Sequence, residues 1–122
     1  MKHAIMGNNL SFGQRGEQLA ARYLQQKGYQ IKHRNYRYGK TEIDIIAEHE
    51  SKLVFVEVKA RSSADFGMPE SFVTRRQEAN IIKAANQYLH ATQWPNNIRF
   101  DIVAILYTQG KPAIEHFEDA FY

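Results

Sequence analysis

The chain has 122 residues, 43% hydrophobic and 24% charged, a composition expected of one globular domain spanning residues 1–122. It contains no cysteine, which excludes a disulfide framework, a thiolate metal site and a cysteine nucleophile. Apolar runs such as Leu53-Val54-Phe55-Val56 fall far short of the about 20 residues a membrane helix needs, and residues 1–9 lack a signal-peptide apolar segment, so the expected compartment is cytoplasmic. The net charge of +3 is unevenly spread. Residues 1–41 carry eight Lys or Arg and one acid, for +7, whereas residues 42–122 carry eight against twelve, for −4. This asymmetry fits either an anionic partner on one side of the molecule or a solvated charged surface.

In chain order, Ser11-Phe12-Gly13-Gln14 has the form of a capping box. It predicts a helix to about Lys27, stopped by Gly28, with Gly16, Ala20, Tyr23 and Leu24 as its inward stripe. Residues 29–38, rich in aromatic and basic side chains, predict a strand, and Gly39-Lys40 a turn. Residues 42–48 and 53–60 are the clearest strands, joined by a loop at 49–52. Residues 61–69 are polar and predict a loop. Thr74-Arg75-Arg76-Gln77 is a second capping box, opening a helix to about His90 with Gln77, Ile81, Ala84 or Ala85, and Tyr88 on its stripe. A strand over 98–108, a turn at Gly110-Lys111-Pro112 and a short edge strand over 113–117 complete an α/β or α+β pattern.

The hairpin register follows from the 49–52 loop. Glu48 then pairs with Leu53, Ile46 with Phe55, Asp44 with Glu57, and Glu42 with Lys59. Side chains alternate along a strand, so Ile43, Ile45, Ala47, Val54, Val56 and Val58 form one apolar face that must pack on a helix. A one-residue slip would mix the faces. Asp44 and Glu57 are thereby placed opposite each other, with Cβ atoms roughly 4.5–5.5 Å apart. Two charges 5 Å apart repel by about 3 kcal/mol at an effective dielectric of 20. A shared proton, a nearby cation or a divalent metal must compensate. Convergent carboxylates without Cys or a His cluster suit Mg²⁺ or Mn²⁺. Lys59, two residues beyond Glu57, reaches the same place, and metal plus lysine suffices for phosphodiester hydrolysis. The alternative is an ordinary strand pair with Lys59 in cross-strand ion pairs to Glu42 and Asp44.

Glu42-Ile43-Asp44-Ile45-Ile46-Ala47 followed by Val54-Phe55-Val56-Glu57-Val58-Lys59-Ala60-Arg61 resembles the PD-(D/E)XK nuclease signature. More narrowly, it resembles the small bacterial YraN-type proteins grouped with restriction-endonuclease-like and junction-resolvase-like nucleases. Gly13-x-x-Gly16-Glu17-x-x-Ala20, Phe66-Gly67, Val73-Thr74, Ala84-Ala85-x-x-Tyr88-Leu89 and Arg99-Phe100-Asp101-Ile102-Val103-Ala104 extend the likeness over nearly the whole chain. The resemblance implies a restriction-endonuclease-like αβββαβ core, a mixed central sheet flanked by helices. It implies that Asp44 and Glu57 hold a metal, that Lys59 assists catalysis, and that Glu17 approaches from the first helix. Glu17 is also explicable as a first-turn acid favoured by the helix dipole. The chain departs from the family pattern at Thr41, where glycine is usual, and at Gln77, where lysine is frequent. Gln77 suits either a site role or the capping box.

Lys32, Arg34, Tyr36, Arg37 and Lys40 interleave cations and aromatics, as would suit phosphates and unpaired bases, or else protect an exposed edge strand. Arg61, Arg75 and Arg76 flank the predicted site. His3, His33, His49, His90 and His116 lack metal-ligand spacing. Three readings follow: a Mg²⁺-dependent endonuclease acting on DNA, including branched, damaged or single-stranded forms; a nucleic-acid-binding module of a repair complex that does not cut; and a protein-interaction domain with structural acids. A domain this small covers little DNA, so a homodimer or a partner protein is an option under each.

Overall fold

A computed structural model of the protein describes residues 10–62, 73–108 and 111–122. Among the described residues, two helices and five strands follow in the order α1 (Phe12–Gln26), β1 (Gln30–Tyr38), β2 (Thr41–His49), β3 (Lys52–Arg61), α2 (Arg75–Thr92), β4 (Ile98–Thr108) and β5 (Lys111–Phe117). The strands lie in sequence order across one sheet, antiparallel except for the parallel β3–β4 pair. A parallel pair needs a long crossover, which α2 provides. This α+β architecture, a mixed five-stranded sheet flanked by two helices, is the expected class and is consistent with a restriction-endonuclease-like core. Among the described residues no helix is long and apolar enough to cross a membrane.

Both capping boxes form. Gln14 N donates to Ser11 Oγ and Ser11 N to Gln14 Oε1, and Thr74 and Gln77 repeat the exchange. Each pair satisfies two N–H groups that the first helical turn leaves open. Helix α1 buries Gly16, Ala20, Ala21 and Leu24 against one face of the sheet, meeting Ile45, Ala47, Val54, Val56, Val103 and Ile105. A Cβ at position 16 would lie 3.1 Å from Ala60 Cβ, so the absent side chain lets α1 lie close to β3. Helix α2 buries Ile81, Ala84 and Ala85 on the other face, over Ile43, Ile46, Phe55 and Phe100.

The hairpin register is the expected one: His49, Glu48, Ala47, Ile46 and Ile45 pair with Lys52, Leu53, Val54, Phe55 and Val56. Its turn is tighter than the expected four residues. Only Glu50 and Ser51 lie outside the strands, both left-handed at φ 50° and 66°, the geometry whose twist matches a two-residue hairpin. Two corrections arise toward the Asp44 end. The paired ladder stops at Ile45–Val56, one step short of the acids. Ile43 packs under α2 with Ile46 rather than under α1 with Ile45, so strict alternation breaks at Asp44. The face opposite α1 is likewise apolar along most of its length, closed by α2 over Ile46 and Phe55. The polar residues concentrate where β2 and β3 part.

Candidate active site

The parting of β2 from β3 frees the Val58 N–H from the ladder, and the Asp44 side chain takes it: Val58 N donates to Asp44 Oδ2 at 2.8 Å. A buried N–H must find an acceptor, so this bond both ends the pairing and fixes Asp44. Glu17 reaches the same place from α1. It lies beyond the first turn, which holds no acid, so a helix-dipole role does not account for it. Glu17, Glu42 and Asp44 each offer a carboxylate oxygen, the three lying within 4.8 Å of one another. Glu42 was not among the sequence-derived site residues, although its i, i+2 spacing from Asp44 on a strand was a usable signal.

Glu57 is not in that trio. It opens, with Lys40, Thr41, Glu42, Gln77 and Asn80, onto a cleft of about 220 Å³ beneath α2. Its Oε1 is buried and has no hydrogen-bond partner among the described residues. Glu42 thus belongs to both the trio and the cleft. Gln77 caps α2, as the sequence allowed, and lines this cleft as an exposed residue rather than as a member of the helix's buried stripe.

Burial raises the Asp44 carboxyl to about 7, helped by the Glu17 and Glu42 charges and opposed by the Val58 N–H and Lys59. Burial, then the Asp44 charge, raises Glu57 to about 8, with Lys59 opposing. The Lys59 charge lowers both carboxyls, although the expected Glu42–Lys59 pairing does not form because the ladder stops at Ile45–Val56. Both folded-state values exceed the unfolded ones, so between about pH 4 and 8 the folded protein holds protons the unfolded chain has lost. That stabilisation is complete below the unfolded values and disappears as pH rises through about 7 and 8. In chelator, the melting temperature is expected to fall as pH rises from 5 to 8.5; a flat or rising profile in calorimetry contradicts this electrostatic picture.

The basic strand β1 lies at the sheet edge. Arg34 borders a second cleft with Glu17 and Asn35, and Lys40 borders the Glu57 cleft. Lys32 and Arg37 meet Glu48 and Glu42 at 3.5 and 3.6 Å. The Tyr36 ring is engaged edge-on by Tyr88 at 5.1 Å, on the α2 side of the sheet. Arg61, Arg75 and Arg76 are exposed. Phe66, Gly67 and His3 lie outside the described residues.

A separate polar cluster lies within the α1 side of β4. Asp101, fully buried, accepts from Arg99 Nε and Nη2 at 2.8 and 2.9 Å and from Asp119 N at 3.0 Å, and bonds His116 Nε2 at 2.7 Å. These bonds hold its carboxyl below the usual range despite burial. Arg99 also donates to Tyr29 Oη at 2.7 Å.

Compared with known proteins, residues 16–105 match the model of the Uncharacterised protein family UPF0102. A UPF0102 protein of Flavobacterium psychrophilum is 46% identical over 117 residues, covering 96% of this chain and 98% of the relative. One from Syntrophomonas wolfei is 47% identical over 116 residues, covering 93% and 99%. One from Christiangramia forsetii is 42% identical over 117 residues, covering 96% and 98%.

Proposed function

The chain belongs to the UPF0102 family, the YraN-type group its motifs resemble, and for it we propose a metal-dependent nuclease that hydrolyses phosphodiester bonds in DNA. The observation that carries this reading is the gathering of Glu17, Glu42 and Asp44 where β2 and β3 part, with Glu57 and Lys59 beside them. Four acids converging in a partly buried place is unfavourable without compensation, and their all-oxygen donor set suits a hard divalent cation. Burial first, and then the neighbouring carboxylates, raise the Asp44 and Glu57 carboxyls, and a bound cation would oppose both effects. Asp44, Glu17 and Glu42 would hold Mg²⁺ or Mn²⁺, and Glu57 would face the same cation from the α2 side. When bound, such an ion supplies positive charge at the scissile phosphate and acidifies water there.

The chain's own groups do the rest. Asp44 is held by the Val58 N–H, so its free oxygen needs no reorganisation. Lys59 neutralises charge growing on the phosphate oxygens. Arg34 and Lys40, at the two clefts, meet flanking phosphates, with Arg61, Arg75 and Arg76 farther out.

Labelled flap, junction and single-stranded DNA incubated with Mg²⁺ or Mn²⁺ tests this. Wild type is expected to cut at least one of them, and Lys59→Ala to cut about 10²–10³-fold more slowly. Equal cutting by both proteins would mean a contaminant and would contradict the proposal. Binding without cutting would favour a non-cleaving nucleic-acid module instead.

A further inference from the structure

The side chain that holds Glu17 among the acids comes from β1, an element that supplies none of the acids themselves. Asn35 Nδ2 donates to Glu17 Oε1 at 3.1 Å. Asn35 lies between the Arg34–Ile45 and Tyr36–Ile43 pairs, at the level of Asp44, and its backbone is left-handed at φ 55° within the strand. A register shift between Ile31 and His33 precedes it. Left-handed backbone inside a strand is unfavourable for most residues, and asparagine is among the side chains that tolerate it best. The irregular backbone thus coincides with an amide bonded to the site.

Glu17 needs such a partner. Its side chain is long, its rotamer freedom is large, and it faces two other carboxylates within 4.8 Å. Left alone, repulsion favours rotamers that swing it into solvent. A neutral amide donor satisfies one oxygen, adds no charge that would compete with a cation, and leaves the second oxygen free. Arg37 approaches Glu42 from the same strand at 3.6 Å, but it brings a full charge that would compete with a cation for that carboxylate, as the Asn35 amide does not.

We propose that Asn35 is a positioning residue, holding Glu17 in the acidic group so that three carboxylates, rather than two, meet a divalent cation. This rests on the metal-site reading above.

Isothermal titration of Mn²⁺ into the full-length wild type, Asn35→Gly, Glu17→Ala and the double variant separates the two claims. Glycine accepts φ 55° without strain, so Asn35→Gly is expected to keep the wild-type melting temperature. It should weaken Mn²⁺ binding about tenfold, as losses of ligand-orienting partners do. In the Glu17→Ala background the same change should have no further effect. Wild-type affinity in Asn35→Gly, or an equal loss with and without Glu17, would overturn the role of Asn35 alone. No Mn²⁺ binding by wild type would overturn the metal reading and this inference with it.

Discussion

Replacing Asp44 by asparagine is expected to abolish divalent-dependent cleavage of DNA while stabilising the metal-free protein at pH 8. The two effects have one cause. Asp44 accepts the Val58 N–H and is partly buried beside Glu57, Glu17 and Glu42. Asparagine keeps an oxygen for that N–H but removes the charge, so the cost of burying that charge and its repulsion of the neighbouring acids are both relieved. Loss of a cation-holding carboxylate should slow cleavage by at least about 10²–10³-fold. Thermal unfolding in chelator should move upward, by about 3–6 °C for each kcal/mol of relief in a chain this size. A lower melting temperature, or cleavage at the wild-type rate, would contradict the proposed role. Asp44→Ala provides the contrast: it relieves the same charge but leaves the Val58 N–H without its acceptor, so it should gain less stability or lose some.

Asp101→Ala is expected to produce the largest loss of stability, and for the opposite electrostatic reason. Its carboxylate is fully buried yet matched by the Arg99 guanidinium, His116 and the Asp119 N–H. Removing it takes from the Arg99 guanidinium and the Asp119 N–H their main acceptor, although Arg99 keeps Tyr29 and Glu118, a change that costs about 3–5 kcal/mol, or roughly 9–30 °C in melting temperature. Because its folded-state value is depressed, its contribution is present above the ordinary aspartate range and is lost as pH falls through the lower folded value. The penalty of Asp101→Ala in denaturant titration should therefore shrink in strong acid. A loss below about 1 kcal/mol at pH 7 would show that the cluster is replaceable.

The contrast between the two aspartates marks what a sequence exposes and what it conceals. Helix starts were legible because a capping box is written in four consecutive residues, and both boxes form. The Glu48–Leu53 register is legible because a one-residue slip would mix the acidic and apolar positions. The Glu50–Ser51 turn was not, since neither residue is a usual left-handed former. The parting of β2 and β3 was also concealed. Alternation extrapolates a ladder indefinitely, whereas a side chain accepting Val58 N–H ends it at Ile45, and Ile43 then turns toward α2. Pattern and resemblance point to Asp44, Glu57, Lys59 and Glu17; of these the fold groups Glu17 and Asp44 with Glu42, while Glu57 opens onto the adjoining cleft. Glu42 was passed over because a strand acid beside a lysine reads as an ion pair. Asn35 bonds a residue 18 positions away, and Asp101, besides Arg99 two residues before it, bonds partners 15 and 18 positions away, contacts that no local spacing encodes.

Asp44 and Glu57, raised to about 7 and 8 first by burial and then by neighbouring carboxylates, should yield a proton when a cation binds among them. Mn²⁺ titrated at pH 7 in two buffers of different ionisation enthalpy measures it directly. About one proton should be released for each ion bound, as a cation displaces protons from the acids it meets, and none in Asp44→Asn. Binding without proton release, or release that persists in Asp44→Asn, would contradict it.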